Sequence, residues 1–325
     1  MSMEVIKSGI ADTFQDAGRY GYQHLGINPN GAMDLIAMNV ANALVGNELN
    51  EAVLELCFPA SILFFKKSTL IALSGANFSA GLNGEPIPIN QSIAVPALSE
   101  LKFTKIEKGV FCYLAVHGGF ALSLWLDSNS TNMKAQAGGW KGRSLQKGDP
   151  IEFKKELSKI DEMKIFPWRA NVFDFYSDAQ RIQFLHGNEF DWLDVPSQEK
   201  LMEESFTMTS IRDRMGYRVK GKELTRKNGE LISTSATFGT VQLLPDGQLI
   251  ILMADHQTTG GYPRVAQVIA ADRSKLVQTS VGDEIFFREI SLQEAEDLLL
   301  LQRKILKQIQ VTCAVRLKDF FKSIQ

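Results

Sequence analysis

Three pairs of segments recur in the same order along the chain, and this repeat constrains the fold more than any other feature. "TFQDAGRYGYQ" (Thr13 to Gln23) resembles "SIRDRMGYRVKG" (Ser210 to Gly221), each pairing Asp with Arg before a Gly-Tyr. "YLAVHGGF" (Tyr113 to Phe120) parallels "LMADHQTTGGYP" (Leu252 to Pro263), where an apolar strand leads to His, then Gly-Gly and an aromatic. "SLQKGDPIEF" (Ser144 to Phe153) parallels "TSVGDEIFF" (Thr279 to Phe287). Any one pair is cheap, but a shared order points to two related halves. Short strands and turn signals fill each half, which suggests barrels or sandwiches. Asn83-Gly84, for example, predicts a type I′ hairpin between strands near Phe78 to Leu82 and Pro86 to Ile89.

A chain of 325 residues with 45% hydrophobic content can fill two cores. The expected division is 1–160, 161–290 and a C-terminal segment 291–325, with the first boundary in "KKELSKIDEMKIFPW", Lys154 to Trp168. One helix interrupts the first half: Asp34 as N-cap, "LIAMNVANALV", then Gly46 as the C-terminal glycine. Ser291 and Glu294 form a capping box that opens an amphipathic helix carrying Leu292, Ala295, Leu298, Leu299, Ile305, Leu306 and Ile309. The basic stretch from Arg303 through Lys322 reads as a docking helix or a solvated face.

A net charge of −2 lacks the basic face of a nucleic-acid binder. Cys57, Cys112 and Cys313 are odd in number and set in apolar surroundings, as reduced core thiols would be. The start "MSMEVIKSGI" has no signal-peptide pattern and no apolar run reaches about 18 residues, so a soluble, cytoplasmic protein without a membrane partner is expected.

Polar side chains cluster in three places. The strongest cluster follows the apolar run Leu249 to Ala254: Asp255, His256, Gln257, Thr258 and Thr259, then Gly260-Gly261, Tyr262-Pro263 and Arg264. A carboxylate beside an imidazole, then an amide and two hydroxyls, offers a general base, an orienting acceptor and carbonyl donors in one loop. Capping of the following segment needs one such residue, not five. The second cluster is the glycine-rich "TFQDAGRYGYQHLGINPNGAMD", where Gln15, Asp16, Arg19 and His24 supply both charge signs and a proton carrier. An Asp16–Arg19 ion pair that merely fixes a long connection explains part of it equally well. The third sets Arg212, Arg214 and Arg218 around Asp213; guanidinium groups suit an anionic ligand, though on spacing alone a surface charge network is the better reading. "GGWKGRS" is no phosphate-binding loop, no G-x-S-x-G elbow is present, and no metal-type Cys or His spacing occurs.

These residues resemble a family when taken together. "TFQDAGRYGYQHLGINPNGAMD", "NALVGNELNEAVLE", "YLAVHGG", "STNMKAQAGGWKGRSLQKGD", "SIRDRMGYRVKG" and "LMADHQTTGGYPRVAQVIAADRSKLVQTSVGDEI" look like the family that contains the C subunit of 5-oxoprolinase. Allophanate-hydrolase subunit 2-like proteins, the matching half of the carboxyltransferase domain of urea carboxylase, and the antagonist of a sporulation-kinase inhibitor belong to the same family. One departure is "STSATFGTVQLLPDGQ", Ser233 to Gln248, where relatives carry a proline-rich "GVPPG" segment before a Gln and a Pro.

The resemblance implies a mainly β chain of two tandem cyclophilin-like β-barrel domains. It implies ATP, with Mg2+, as co-substrate, the 5-oxoprolinase B subunit in direct contact, and the A subunit for the complete conversion of 5-oxo-L-proline to L-glutamate. In that setting Asp255 or His256 handles the proton, Gln257 and Thr258 hold the carbonyl, and Arg214 and Arg264 bind carboxylate or phosphate. Gln15, Arg19 and His24 line the facing loop. Two alternatives stay open: a carboxyltransferase half acting on urea or a related amide, with biotin on a separate carrier because the chain has no Met-Lys-Met motif, and a non-enzymatic regulator of a kinase inhibitor.

Overall fold

The computed structural model of the chain describes residues 1–157, 160–227, 229 and 231–323. Two compact units emerge, both discontinuous in sequence. The first comprises Met1–Arg19, Asp34–Val172 and Arg303–Gln325, and the second Tyr20–Met33 and Phe173–Gln302.

The first unit is built on two six-stranded sheets. One runs in the order Pro150–Ile151, Met3–Lys7, Ile62–Phe65, Ser99–Phe103, Ala80–Leu82, Glu85–Pro86. The other runs Lys164–Ile165, Ser92–Val95, Thr69–Asn77, Lys108–Val116, Val53–Cys57, Thr13–Gln15. Their apolar residues, among them Met3, Phe14, Phe65, Leu73, Phe78, Leu101, Leu114 and Phe120, form one buried core. The hairpin at Asn83-Gly84 has both central residues at positive φ, 52° and 88°, as a type I′ turn requires. The helix Leu35–Leu44 starts where Asp34 caps it, Oδ1 accepting from Ala37 N at 3.0 Å, and ends before Gly46 at φ 73°. Such a cap contributes about 1 kcal/mol.

The second unit holds a closed barrel of seven strands. Its order is Arg181–His186, Arg264–Val268, Thr240–Leu243, Leu249–Leu252, Gly216–Lys220, Ser205–Arg212, Glu284–Glu289. Parallel pairing of Arg181–His186 with Glu284–Glu289 closes the ring. Alternate residues fill it: Ile182 and Phe184, Phe206 and Met208, Val241 and Leu243, Leu249 and Ile251, Ile285 and Phe287 are all 2% exposed or less. Within it Phe287 meets Phe184 and Phe206 with ring centroids 6.0 and 5.5 Å apart. Each such side chain contributes roughly 1.5–3 kcal/mol on burial.

The expectation of two tandem cyclophilin-like barrels is therefore corrected: among the described residues there is one closed barrel, in the second unit, and the sheets of the first unit are open. The physical reason lies at the sheet edges. Both end strands of one sheet, Glu85–Pro86 and Pro150–Ile151, are two residues long and contain proline, which has no N–H to extend a ladder. The other sheet ends on the two-residue Lys164–Ile165 and the three-residue Thr13–Gln15. Landmarks of the sequence repeat fall on strands in both units, yet the strands are joined differently.

The C-terminal helix runs Leu292–Ser323 and opens with the expected capping box, Ser291 N donating to Glu294 Oε2 at 2.8 Å and Glu294 N to Ser291 Oγ at 3.2 Å. Within the first unit its later turns bury Leu306, Cys313 and Leu317, and set Phe320 edge-on to Phe166 and Phe321 4.4 Å from the His117 ring. Among the described residues no helix is long and apolar enough to cross a membrane.

Candidate functional site

Strand Leu249–Leu252 is central in the barrel, hydrogen-bonded on both sides to Gly216–Lys220 and Thr240–Leu243. Such a strand delivers whatever follows it to a defined place. Met253 N donates to Met215 O at 3.0 Å and Asp255 N to Arg214 O at 2.7 Å, so the first turn of the polar loop is pinned by backbone alone.

Asp255 is committed to structure on both oxygens. Arg214 grips it with two charge-assisted bonds, Nε to Oδ2 and Nη2 to Oδ1, each 2.9 Å. Asn30 Nδ2 adds a third at 2.6 Å. Arg214 Nη2 also reaches Gly31 O at 2.6 Å, so this ion pair ties the segment Tyr20–Met33 to the end of the barrel strand within the second unit. Asn30 sits at φ 55°, a conformation asparagine tolerates better than most residues. Its role could have been suspected from the turn signal Pro29-Asn30-Gly31, but its partner lies 225 residues away.

His256 is 3% exposed, and its Nδ1 lies 2.7 Å from Gln257 O. A carbonyl only accepts, so Nδ1 carries the hydrogen and Nε2 keeps its lone pair. Burial pushes the imidazole pKa below its ordinary value, and the nearby Arg273 guanidinium pushes the same way. The ring is consequently neutral near pH 7, as a general base must be.

Beyond His256 the loop folds into a short ribbon: Thr259–Gly260 pairs antiparallel with Thr234–Ser235, Thr234 opposite Gly260. Thr258 O accepts from Ala236 N at 3.1 Å, while Thr259, Gly261 and Tyr262 are exposed. Arg264 forms a second two-point pair, Nε and Nη2 each 2.8 Å from Glu189, with Nη1 on Ser235 O at 2.9 Å. The Arg264 guanidinium holds the Glu189 carboxyl below its usual range.

Two side chains near this loop were not singled out by their sequence context. Arg273 is half-buried with its guanidinium carbon 5.1 Å above the Phe238 ring, and its Nε has no hydrogen-bond partner among the described residues. Gln242 is 1% exposed, and neither of its amide atoms has a hydrogen-bond partner among the described residues. It stands between the inward-facing Val241 and Leu243, on the opposite face of its strand. The sequence signal was a lone polar residue inside the apolar run "TVQLL".

The earlier cluster divides. His24 is exposed on the turn Gln23–Leu25 of the second unit. Gln15, Asp16 and Arg19 belong to the first unit and form a cluster of their own. Asp16 accepts from Gly18 N at 2.8 Å, Asn129 N at 2.6 Å, Ser128 Oγ at 2.7 Å and Ser130 Oγ at 2.5 Å. Arg19 donates to Ser130 O and lies 4.5 Å over the Trp125 ring. Gln15 is fully buried, its Nε2 on Thr13 Oγ1 at 2.9 Å and Thr131 O at 3.3 Å. In the third cluster Arg212 reaches Thr279 O at 2.7 Å and Arg218 pairs with Asp246. Among the described residues no three His, Cys, Asp or Glu side chains come together as a metal site.

The family "carboxyltransferase domain, subdomain A and B" matches residues 25–289. The 5-oxoprolinase C subunit of Haemophilus influenzae is 37% identical over 299 residues, 92% of this chain and 94% of that protein. The corresponding C subunit of Escherichia coli 5-oxoprolinase is 36% identical, covering 90% and 93%. In structure the chain resembles the K. lactis urea amidolyase, with a TM-score of 0.87 and 25% identity, over 95% of this chain and 20% of that one.

Proposed function

Because the chain belongs to the family of carboxyltransferase domains, subdomain A and B, we propose that it is the C subunit of an ATP-dependent 5-oxoprolinase that works with the A and B subunits to convert 5-oxo-L-proline to L-glutamate. One observation carries this reading. The likeness to the C subunits of two bacteria is end to end, 94% and 93% of those proteins, whereas the chain spans only 20% of the urea amidolyase.

A lactam is resonance-stabilised and resists water, so its oxygen is first made a leaving group. The lactam oxygen attacks the terminal phosphoryl of ATP, ADP departs, and the ring nitrogen loses its proton. Water then adds at the ring carbon, the C–N bond breaks to leave an acyl phosphate and the amine, and a second water releases phosphate and glutamate. In the proposed assignment His256 is the general base that handles the proton; its lowered pKa and its fixed tautomer support this role. Asp255 and Arg214 position the loop, and Gln257 and Thr258 hold the carbonyl. Arg264 is spent on Glu189, so the anionic group of the substrate or nucleotide falls to Arg273, whose Nε has no hydrogen-bond partner among the described residues. The B and C subunits together would use ATP, with Mg2+, to activate the lactam.

A second reading, carboxyl transfer from biotin on a separate carrier to urea or a related amide, is favoured by the family itself and by the TM-score of 0.87. Co-purification of the tagged chain from its host decides between them. A partner without biotin that, together with the A subunit, gives ADP release dependent on 5-oxoproline is the expected result; a biotinylated partner and no such release moves the assignment to carboxyl transfer.

A further inference from the structure

We infer that the side-chain amide of Gln242, with Gln257 beside it over Gly260, binds the edge of a cis-amide: the N–H and C=O that a lactam or a urea presents on one side. The inference rests on the proposed reading for its choice of lactam. Its ground is the geometry of Gln242.

A primary carboxamide presents a donor and an acceptor side by side. A cis-amide presents the complementary pair, so the two meet through two parallel hydrogen bonds, whereas a trans amide points its N–H and C=O in opposite directions and can offer only one. Both polar atoms of Gln242 lack a partner among the described residues, so the inference holds whichever way the amide is turned. Buried carboxamides are normally hydrogen-bonded, and packing alone at this position would be served better by leucine.

Gly260 lets the two amides come close to its backbone: a Cβ there would lie 2.7 Å from Gln242 Nε2 and 3.5 Å from Gln257 Nε2. Gly260 is not in the left-handed region, so its backbone does not demand glycine. Thr234, opposite Gly260 in the ribbon, also has a buried hydroxyl with no partner among the described residues. The ribbon over Gln242 is only two residue pairs deep and bears the exposed Thr259.

The test uses the full chain with its co-purified partners, in three forms: wild type, Gln242→Leu and Gln242→Glu. The probes are 5-oxo-L-proline, 2-pyrrolidinone, N-methyl-2-pyrrolidinone and urea, read by calorimetric binding and by turnover. The site predicts that 2-pyrrolidinone binds and competes, that its N-methyl form does not, and that Gln242→Leu raises KM about ten- to a hundred-fold, two neutral hydrogen bonds being lost, while the melting temperature holds or rises. Urea binding in place of pyrrolidinone would keep the site and change its substrate. If 5-oxoproline is not turned over but a cis-amide probe still binds and Gln242→Leu abolishes it, the oxoprolinase reading fails and the site stands. If turnover is present and Gln242→Leu leaves KM and probe binding unchanged, the site fails, Gln242 holds water only, and the oxoprolinase reading stands.

Discussion

The chain ends a buried strand in His and Gly-Gly twice, and the two versions do different work. In the first unit Lys108–Val116 runs straight into His117-Gly118-Gly119. Both glycines have positive φ, 77° and 84°, and a Cβ on either would strike Lys155 or Glu51 within 2.7 Å. They make a turn that other residues could not make. His117 is equally consumed, its Nδ1 on Val45 O at 2.8 Å and its ring against Phe321. In the second unit Gln257, Thr258 and Thr259 are inserted between His256 and the glycines, and neither glycine has positive φ. There Gly260 lets the Gln242 amide pack close to its backbone. The first motif closes its hydrogen bonds on itself, whereas beside the second the Gln242 amide has no partner among the described residues.

The largest effect that separates them is catalytic. His256→Gln in the assembled enzyme should lower kcat by about 10²–10⁴-fold, the usual contribution of a positioned general base, with little change in melting. His117→Gln should do the reverse, lowering the melting temperature and leaving kcat per folded molecule as it was. Equal loss of kcat in both variants would break the comparison, because the two histidines would then share one role.

The glycines come next. Gly119→Ala forces a side chain into the left-handed region against Glu51 and should cost about 1–3 kcal/mol of stability by denaturant titration, with KM unaffected. Gly260→Ala meets only the end of the Gln242 side chain, so stability should hold while KM rises about tenfold, a smaller change of roughly 1.4 kcal/mol. A stability loss at Gly260 as large as at Gly119 would show that its small size serves packing alone.

Local chemistry was readable in advance. Asp34 capping its helix, the Asn83-Gly84 hairpin, the Ser291–Glu294 box and the buried strand from Leu249 all depend on neighbours within a few residues, and each appears as expected. Barrel closure was not readable, because it depends on whether distant edge strands meet, and the prolines at 86 and 150 decide that only once the strand order is known. The loop Asp255 to Gly261 was legible as a polar cluster, but not the division of labour within it. Arg214 and Arg264 read as anion binders until Asp255 and Glu189 were found to hold them, at sequence separations of 41 and 75. Gln242 was hidden for the same reason: a lone glutamine among Val241, Leu243 and Leu244 shows nothing until Gly260 lies over it.

The smallest effect is the dependence of stability on pH, and it sharpens the comparison because both histidines contribute with the same sign. Burial is the largest cause holding each imidazole below its ordinary value, with the Val45 carbonyl opposing it at His117 and the Gln257 carbonyl at His256. In the unfolded chain both rings take up a proton near pH 6.5, while in the folded protein they still resist it. The unfolded state therefore binds more protons, and stability falls as pH drops through that range; above it the two states carry the same charge and the contribution vanishes. Each ring can add at most about 1.4 kcal/mol per pH unit to the slope. Replacing either His117 or His256 with Gln should flatten the acid side of the stability curve by a similar amount. Only His256 should also affect the pH profile of kcat: acting as the proposed base, with its pKa held down by burial, it should keep turnover going below the usual histidine range. An acid limb of kcat at or above pH 6.5 would remove His256 from the proton transfer, even if both stability slopes came out as expected.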